Sequence, residues 1–229
     1  IAQSLALART EADRAELVGL IREELDRLNR MITDISNASR LDAELARQET
    51  EPVDLRGVLA RIVGVFSDLR SEQGLRVVLD VPEVPLLSDA FVVRGHEDRL
   101  GQVVNNLVDN ACSFSRPGDV VTVRLRALGT EVEFTVEDQG PGIPGDKLEK
   151  VFERFYSDRP LTDQTKGRNS GLGLSITRNI VKAHGGRIWA ENIAAEDALA
   201  DRADAKPYGA RFLVRLPALR AADPASRRA

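Results

Sequence analysis

The sequence contains few of the residues that build disulfides, metal clusters or aromatic surfaces. Its 229 residues include one cysteine and two histidines, and aromatic residues make up 4% of the chain. A single cysteine excludes an intramolecular disulfide and a cysteine-based zinc site. We expect this residue, Cys112, to be a small core residue in the middle of a helix, and the composition fits a reducing, cytoplasmic setting.

Long runs of a single residue class are also absent. No stretch of about 18 apolar residues occurs, and no charged-then-apolar signal segment stands at the start, so we expect a soluble chain. The 32 basic and 36 acidic residues form no long run of like charge, which argues against nucleic acid as a partner. The apolar fraction of 42% is enough to bury a sizeable core.

Residues 1–49 predict a long helix that belongs to a separate domain. Thr10 can cap a helix over 11–46, and apolar residues then repeat at spacings of three and four. This seam consists of Val18, Ile21, Leu25, Leu28, Ile32 and Ile35. We expect an arm of a helical hairpin in a dimeric bundle; the alternative is one amphipathic helix on a globular core. Because the opening IAQSLALA is typical of the last turns of a helix, we also expect the sequence to be a fragment.

The remaining chain predicts an α+β domain over residues 50–218, after a polar break at 47–53. Predicted helices span 54–70, 96–114 and 171–184, and predicted strands span 75–81, 90–95, 120–128, 131–138, 187–192 and 209–217. Their order favours helices layered on one face of a mixed, largely antiparallel sheet, a two-layer α/β sandwich. The turn-rich stretch 139–170 includes a short helix near 146–155, and we expect residues 219–229 to be a disordered tail.

Two asparagines stand one helical turn apart on the predicted helix 96–114. Asn106 and Asn110 share a face beside an apolar stripe, although asparagine is a mediocre helix former. Their neutral amide oxygens can help to hold Mg²⁺, which takes the rest of its ligands from water and substrate phosphates. The alternative is that both amides hydrogen-bond a neighbouring loop.

Two glycine-rich segments follow this helix. In EDQGPGIP, Gly140 and Gly142 permit positive φ, so the backbone can turn tightly beside Asp138, a carboxylate able to accept a hydrogen bond from an exocyclic amine such as that of adenine. Ile143 can form an apolar wall. In GRNSGLGL, Gly171 and Gly173 open a helix whose free N–H groups can bind an anion. Taken singly, each segment is also typical of a plain turn or hinge.

The order of these segments resembles the ATP-binding domain of sensor histidine kinases, in the fold family that includes Hsp90, gyrase and MutL. NNLVDNACSFS is similar to the N box, DQGPGI to the first glycine box, FERFY to the F box and GLGL to the second glycine box. The resemblance covers residues 53–217. Upstream, LDRLNRMITDISNASRLDAELA resembles the second helix of the dimerisation and phosphotransfer hairpin, and TDISNASRLDAELA and RFYSDRP are similar to the ChvG type of sensor kinase.

This resemblance implies ATP and Mg²⁺ as ligands and assigns their contacts. Asn110 would bind Mg²⁺ with help from Asn106, Asp138 would recognise adenine, and Phe114 would lie beside the base. The remaining implied ATP contacts are Gly140, Gly142, Ile143, Arg154, Lys166, Arg168, Gly171, Leu172, Gly173 and Leu174. Residues 144–170 would form a mobile lid, in which Arg154, Arg159, Lys166 and Arg168 are candidates to reach phosphates; a solvated surface role is the alternative for the last three.

Two departures from the family pattern bear on the activity. Ser113 stands where many members have a basic residue, and neither His96 nor His184 lies on a hairpin helix, so the phosphoacceptor histidine is expected upstream of Ile1. Asn106 takes the place where hydrolytic relatives have a glutamate base, and an amide cannot accept a proton from water. This difference favours a kinase over an ATPase.

The implied protein is the cytoplasmic catalytic fragment of a two-component sensor histidine kinase of the inner membrane. The intact enzyme would be a homodimer that transfers the ATP γ-phosphoryl group to a histidine, for relay to an aspartate of a response regulator. Only missing upstream segments would contact a membrane. Two alternatives stay open: a nucleotide-sensing interaction module without kinase activity, and a Ser/Thr kinase of the anti-sigma type on the same fold.

Overall fold

The computed structural model describes residues 18–19, 50–83, 89–156, 171–193 and 209–219. Val18 and Gly19 are helical, and the rest of the predicted helix 11–46, with its seam, lies outside the described residues. The domain boundary near residue 49 therefore stays a prediction. Within the described ranges, no helix is both long and apolar enough to cross a membrane.

A five-stranded sheet forms the centre of the described domain. Its strands follow the order β2 (Arg76–Asp80), β4 (Val120–Leu128), β5 (Glu131–Glu137), β7 (Gly209–Pro217) and β6 (Arg187–Ile193). The β2–β4 pair is parallel and the other three pairs are antiparallel. A separate antiparallel pair joins β1 (Glu51–Asp54) to β3 (Val92–Gly95). The predicted mixed, largely antiparallel sheet is confirmed.

Three helices, α1 (Leu55–Ser71), α2 (Glu97–Phe114) and α3 (Gly173–Ala183), share a core with this sheet. Along β5, Val132, Phe134 and Val136 are buried while the alternating residues point to the opposite face, as expected for a sheet covered on one side. The outer face of the sheet carries ion pairs instead, such as Arg215 with Glu133 at 2.5 Å. The fold is therefore the predicted α+β two-layer sandwich.

The start of each helix follows from local sequence. Asp54 caps α1, because its Oδ1 accepts a hydrogen bond from the Arg56 N–H at 3.0 Å. His96 takes the same position before α2 but makes no side-chain cap. Cys112 lies in the core of α2 as predicted, and burial raises the pKa of its thiol to about 11.

The structure corrects several predicted elements. The polar break 47–53 overlaps strand β1, in which only Val53 is buried; a strand with one buried residue and a proline gives little strand signal in the sequence. The short helix near 146–155 consists of two 3₁₀ turns, Gly145–Lys147 and Lys150–Phe152. A third 3₁₀ turn, Asp89–Phe91, occupies the start of the predicted strand 90–95.

Candidate functional site

The C-terminal half of α2 presents three predicted site residues on one strip. Asn106, Asn110 and Phe114 follow one another at four-residue spacing, so they lie above one another along the helix. The two asparagines are half-buried, and Phe114 is 39% exposed. The neighbouring strip is the buried stripe predicted from the sequence, which consists of Leu100, Val103, Val104, Leu107 and Ala111. Core packing thus fixes the orientation of the polar strip.

Asn106 links α2 to the beginning of α3. Its Nδ2 donates to the carbonyl oxygen of Gly173 at 3.2 Å and to Oγ1 of Thr177 at 3.3 Å. Thr177 is fully buried. One alternative from the sequence is that the asparagine amides hydrogen-bond a neighbouring loop. The side-chain nitrogen of Asn106 does bond a neighbouring segment, but that segment is helix α3 rather than a loop. Its oxygen makes no hydrogen bond to the described residues.

Asn110, one turn later, differs from Asn106. Its side-chain amide has no hydrogen-bond partner within the described part of the chain, while its backbone carbonyl accepts a bond from Ser113 Oγ at 2.6 Å. A half-buried amide with unused hydrogen-bonding capacity is available to a ligand. Ser113, the residue that replaces the basic residue of the family, directs its hydroxyl to the helix backbone.

Asp138 lies just beyond the end of β5 and is only 3% exposed. Its Oδ1 accepts hydrogen bonds from the backbone N–H groups of Gly140 at 2.9 Å and Ala210 at 3.2 Å. Burial raises the pKa of this carboxyl group, and the two backbone donors offset part of that effect. Among the described residues, Oδ2 has no hydrogen-bond partner. The site therefore holds a rigid, buried carboxylate with one acceptor oxygen unused.

Gly140 brings the Asp138 loop against the end of α2. A Cβ at this position would lie 2.9 Å from Asp138 Oδ1 and 3.0 Å from the carbonyl oxygen of Phe114. Gly140 is therefore needed because any side chain at this position would collide with its neighbours. Gly142 is needed for a different reason, since its backbone has a positive φ of 73°. The prediction of positive φ applies to Gly142 alone.

Ile143, the predicted apolar wall, is half-buried and packs against the core. Its N–H donates to Oδ1 of Asn192 at 2.7 Å, and its carbonyl oxygen accepts a bond from Nδ2 of Asn192 at 2.7 Å. Asn192, near the end of β6, was not predicted as a site residue. The two residues are 49 positions apart, and nothing in the sequence near Asn192 indicates this contact.

The second glycine box lies beside the F box. Gly171 has a φ of 71°, and its carbonyl oxygen accepts a bond from the Phe155 N–H at 3.0 Å. A Cβ on Gly171 would lie 2.9 Å from Phe155 C and Tyr156 O. Gly173 begins α3, two residues later than predicted, and Asn106 contacts it there. Phe155 and Tyr156, inside the predicted lid, thus make a tight backbone contact with Gly171, the residue that follows the lid.

The other predicted phosphate and pocket residues have varied positions. Leu172 is 2% exposed, so its side chain belongs to the core and only its backbone could face a nucleotide. Leu174 is half-buried against the same core. Arg154 is exposed and forms no ion pair with the described residues. Three predicted cations lie outside the described residues: Arg159, Lys166 and Arg168.

Both histidines lie at the opposite end of α2. His184 Nδ1 donates to the Ile180 carbonyl at 2.7 Å, and its Nε2 accepts a bond from the His96 backbone N–H at 3.2 Å. This pattern requires a neutral imidazole. Burial, partly offset by the bond to Ile180, lowers the pKa of His184. His184 follows the last residue of α3, Ala183, so the helix ends one residue earlier than predicted.

The described residues contain no cluster of three or more His, Cys, Asp or Glu side chains that could hold a metal. The possible metal ligands on the polar strip of α2 are instead the neutral amide oxygens of Asn110 and Asn106. Such a donor set fits Mg²⁺ that arrives bound to phosphate oxygens, because the phosphates supply the negative charge.

Comparison with known proteins agrees with this geometry. A family model described as "Histidine kinase-, DNA gyrase B-, and HSP90-like ATPase" matches residues 95–220, a range that includes α2, the Asp138 loop and α3. The Sensor protein ChvG of Rhizobium meliloti (strain 1021) is 43% identical over 221 residues, which are 94% of this chain and 36% of that protein. The chain thus spans about a third of the length of this relative.

Two solved structures have the same fold. The mycobacterial sensor histidine kinase MprB aligns with a TM-score of 0.57 and 32% identity, over 73% of this chain and 97% of that one. Full-length ShkA in complex with AMPPNP aligns with a TM-score of 0.69 and 27% identity, over 97% of this chain and 42% of that one. The chain therefore belongs to the histidine kinase-, DNA gyrase B- and HSP90-like ATPase family, and its described domain is the catalytic ATPase domain of a sensor histidine kinase.

Proposed function

We propose that this domain binds Mg-ATP beside the C-terminal half of α2 and provides the γ-phosphoryl group to a histidine on the dimerisation hairpin of the intact kinase. The observation that carries the proposal is the burial and hydrogen bonding of the Asp138 carboxylate. Two backbone N–H groups fix one oxygen of this buried carboxylate, and the other oxygen can accept a bond from the exocyclic amine of adenine.

The surrounding residues support an adenine nucleotide in particular. Phe114 contributes an aromatic ring at the end of α2, and Ile143 contributes an apolar side chain on the loop after Asp138. A base held between apolar groups and one fixed acceptor is selected for both shape and amine position. The ShkA complex with AMPPNP supports the same choice of ligand.

Asn110 and Asn106 are the residues that would hold Mg²⁺, through their amide oxygens. When bound, this ion would neutralise phosphate charge as the phosphoryl group is transferred. Asn106 also contributes to the lifetime of ATP, because its amide donates to Gly173 and Thr177 and cannot remove a proton from water. The site therefore favours transfer over hydrolysis.

In the proposed reaction, an imidazole nitrogen forms a bond to the γ-phosphorus while the bond from phosphorus to the β–γ bridging oxygen breaks and ADP leaves. The domain's own residues contribute by positioning the nucleotide, since phosphoryl transfer depends mainly on alignment and charge neutralisation. We further propose that the intact protein is a membrane-anchored homodimer with its catalytic part in the cytoplasm. Its phosphohistidine would then donate to an aspartate of a response regulator.

The test uses the intact kinase and ATP labelled at the γ-phosphate. We expect label on a hairpin histidine, lost in acid and stable in base, and we expect Asn110→Ala to abolish labelling. Acid-stable label on the acceptor would contradict the proposal and support the Ser/Thr kinase alternative.

Ser113 supports a second candidate, a nucleotide-sensing module without kinase activity. At the position where relatives have a cation, this side chain bonds the helix backbone and adds no positive charge for a phosphate. Tight Mg-ATP binding without any labelling of the intact kinase would favour this candidate.

A further inference from the structure

The loop that follows Asp138 is fixed at two separate points. At its beginning, Asp138 Oδ1 accepts bonds from Gly140 and from Ala210 on β7. At its end, the amide of Asn192 bonds both the N–H and the carbonyl oxygen of Ile143, each at 2.7 Å. We call this second point the Asn192–Ile143 clamp. Only Pro141 and Gly142 lie between the two points.

The two points are connected through the sheet. Asn192 on β6 lies directly opposite Ala210 on β7 in the strand register. Ala210 directs its N–H to Asp138 rather than to β6. Opposite residues without mutual backbone bonds bring their side chains close together. Asn192, which forms the clamp, and Ala210, which holds the Asp138 carboxylate, are therefore neighbours on adjacent strands.

The position of Asn192 in the sheet explains why a side chain makes this contact. β6 is the edge strand of the five-stranded sheet, and Asn192 is an exposed residue near its end. The loop crosses this edge, and the amide of Asn192 gives Ile143 the donor and the acceptor that a neighbouring strand would otherwise provide. The loop is thereby attached to the sheet.

We propose that Asn192 is a positioning residue for adenine: it holds the backbone of Ile143 so that the apolar wall and the Asp138 carboxylate face the same base. This inference rests on the proposed function. An amide suits the role, because its NH₂ group donates while its oxygen accepts. An aspartate at position 192 keeps the bond from the Ile143 N–H but replaces the donor with a second acceptor, opposite the Ile143 carbonyl.

The test compares Asn192→Asp and Asn192→Ala with the parent chain, and Asn105→Asp is the matched control. Asn105 is exposed on α2 and makes no hydrogen bond to the described residues through its side chain, so this control adds the same charge without breaking the clamp. The first measurement is hydrogen exchange of the Ile143 amide without nucleotide. We expect the fastest exchange in Asn192→Ala, which loses the acceptor of the Ile143 N–H, a smaller increase in Asn192→Asp, whose second carboxylate oxygen repels the Ile143 carbonyl, and parent-like exchange in the control.

The second measurement is calorimetric titration with ATP and with ADP. We expect both Asn192 variants to bind each nucleotide about tenfold more weakly, as for the loss of one or two net hydrogen bonds. The ratio of the ATP and ADP dissociation constants should stay that of the parent, because the clamp acts on the base and not on the phosphates. General destabilisation of the domain would leave this ratio unchanged, since it lowers the folded fraction for both nucleotides alike, but it would accelerate exchange in the core of α2, which loss of the clamp alone does not.

Parent-like affinity in both Asn192 variants would overturn the positioning role, even if Ile143 exchanges faster. A changed ATP to ADP ratio would also overturn it. If the parent binds no nucleotide although its Ile143 amide is protected, the proposed function fails, and the positioning role fails with it while the clamp itself stands. The parent titration therefore separates the two failures.

Discussion

His184, at the N-terminal end of α2, differs from Asn110 and Asp138, at its C-terminal end, in how far the side chain is already bonded within the protein. At the N-terminal end, both ring nitrogens of His184 have backbone partners, and the carbonyl of His96 accepts the N–H of Leu100. At the C-terminal end, the amide of Asn110 and Oδ2 of Asp138 have no partner among the described residues. One helix therefore supports a structural junction at one end and a ligand site at the other.

This contrast indicates which residues a ligand should affect. A buried polar group that already has its bonds contributes to stability, and changing it should lower the free energy of unfolding. A group held rigidly but left without a partner contributes to binding. Mutations at the two ends of α2 should therefore separate stability from nucleotide affinity.

Asp138→Asn should have the largest effect on binding. The amide oxygen can keep the bonds from Gly140 and Ala210, but the NH₂ group then opposes the amine of adenine. We expect the ATP dissociation constant to rise about a hundredfold and the preference for ATP over GTP to fall, measured by calorimetry.

The same variant should not lose stability. Because burial raises the pKa of Asp138 above its usual value, the ionised form costs folding free energy at neutral pH, and a neutral amide removes that cost. We expect a thermal midpoint equal to or above that of the parent. Asp68→Asn, at an exposed position on α1, is the matched charge control, and weak binding in this control would undermine the assignment of Asp138.

Two glycine substitutions should each disturb the packing at one end of α2: Gly95→Ala at the N-terminal end and Gly140→Ala at the C-terminal end. A Cβ at Gly95 would lie 2.5 Å from Cδ2 of His184, so Gly95→Ala must displace the ring and should lower the free energy of unfolding by about 1–3 kcal/mol. Gly140→Ala, which crowds Asp138 and Phe114, should weaken ATP binding in addition. Denaturant titration and calorimetry measure the two effects.

Gly64→Ala is the control for both variants. Gly64 lies inside α1 with no atom within 4 Å of an added Cβ, and alanine there should stabilise the domain by about 0.5–1 kcal/mol. The contrast between the ends would disappear if Gly95→Ala weakened ATP binding as strongly as Gly140→Ala does.

Substitutions of Asn106 and Asn110 should also differ in their effects, the first lowering stability and the second changing ATP binding. Asn106→Ala removes two hydrogen bonds to α3 and should cost about 1–2 kcal/mol of unfolding free energy, measured by denaturant titration. Asn110→Ala should change stability by less than about 0.5 kcal/mol and should remove the Mg²⁺ dependence of ATP binding. An equal loss of stability in both variants would show that Asn110 also has a structural role.

The smallest expected effect concerns pH at the bonded end. The pKa of His184 is lowered on folding, so the unfolded chain binds a proton at a higher pH than the folded one. The stability that depends on the neutral ring is fully present above 6.5, the usual histidine value, and is lost as the pH falls below it. Denaturant midpoints measured across this range should fall on acidification.

His184→Gln is the matching variant, because glutamine offers a donor and an acceptor but does not titrate in this range. Its midpoint should depend less on pH between neutral and mildly acidic conditions. An unchanged pH dependence would place the titrating group elsewhere.

The elements with long periodic patterns could be predicted from the sequence. The bounds of α1 and α2 differ from the predicted helices by one residue, because their apolar spacing is regular over four or more turns. The β4–β5 hairpin is also as predicted, since alternating strands flank Gly129. By contrast, β1 depends on pairing with β3 rather than on its own residues.

The contacts between distant segments could not be predicted. Asn192, Thr177 and His184 have ordinary surroundings in the sequence, and their partners lie 49, 71 and 88 positions away. The motifs indicated which residues could bind ATP but not which of them the fold would use internally. Leu172, a motif residue, is accordingly a core residue.

Calorimetric titration of this chain with ATP, with and without Mg²⁺, tests most directly whether the C-terminal end of α2 is a nucleotide site. We expect one ATP per chain and clearly tighter binding with Mg²⁺, and about a hundredfold weaker ATP binding by Asp138→Asn. A folded sample that binds no ATP under either condition would contradict the assignment of this site.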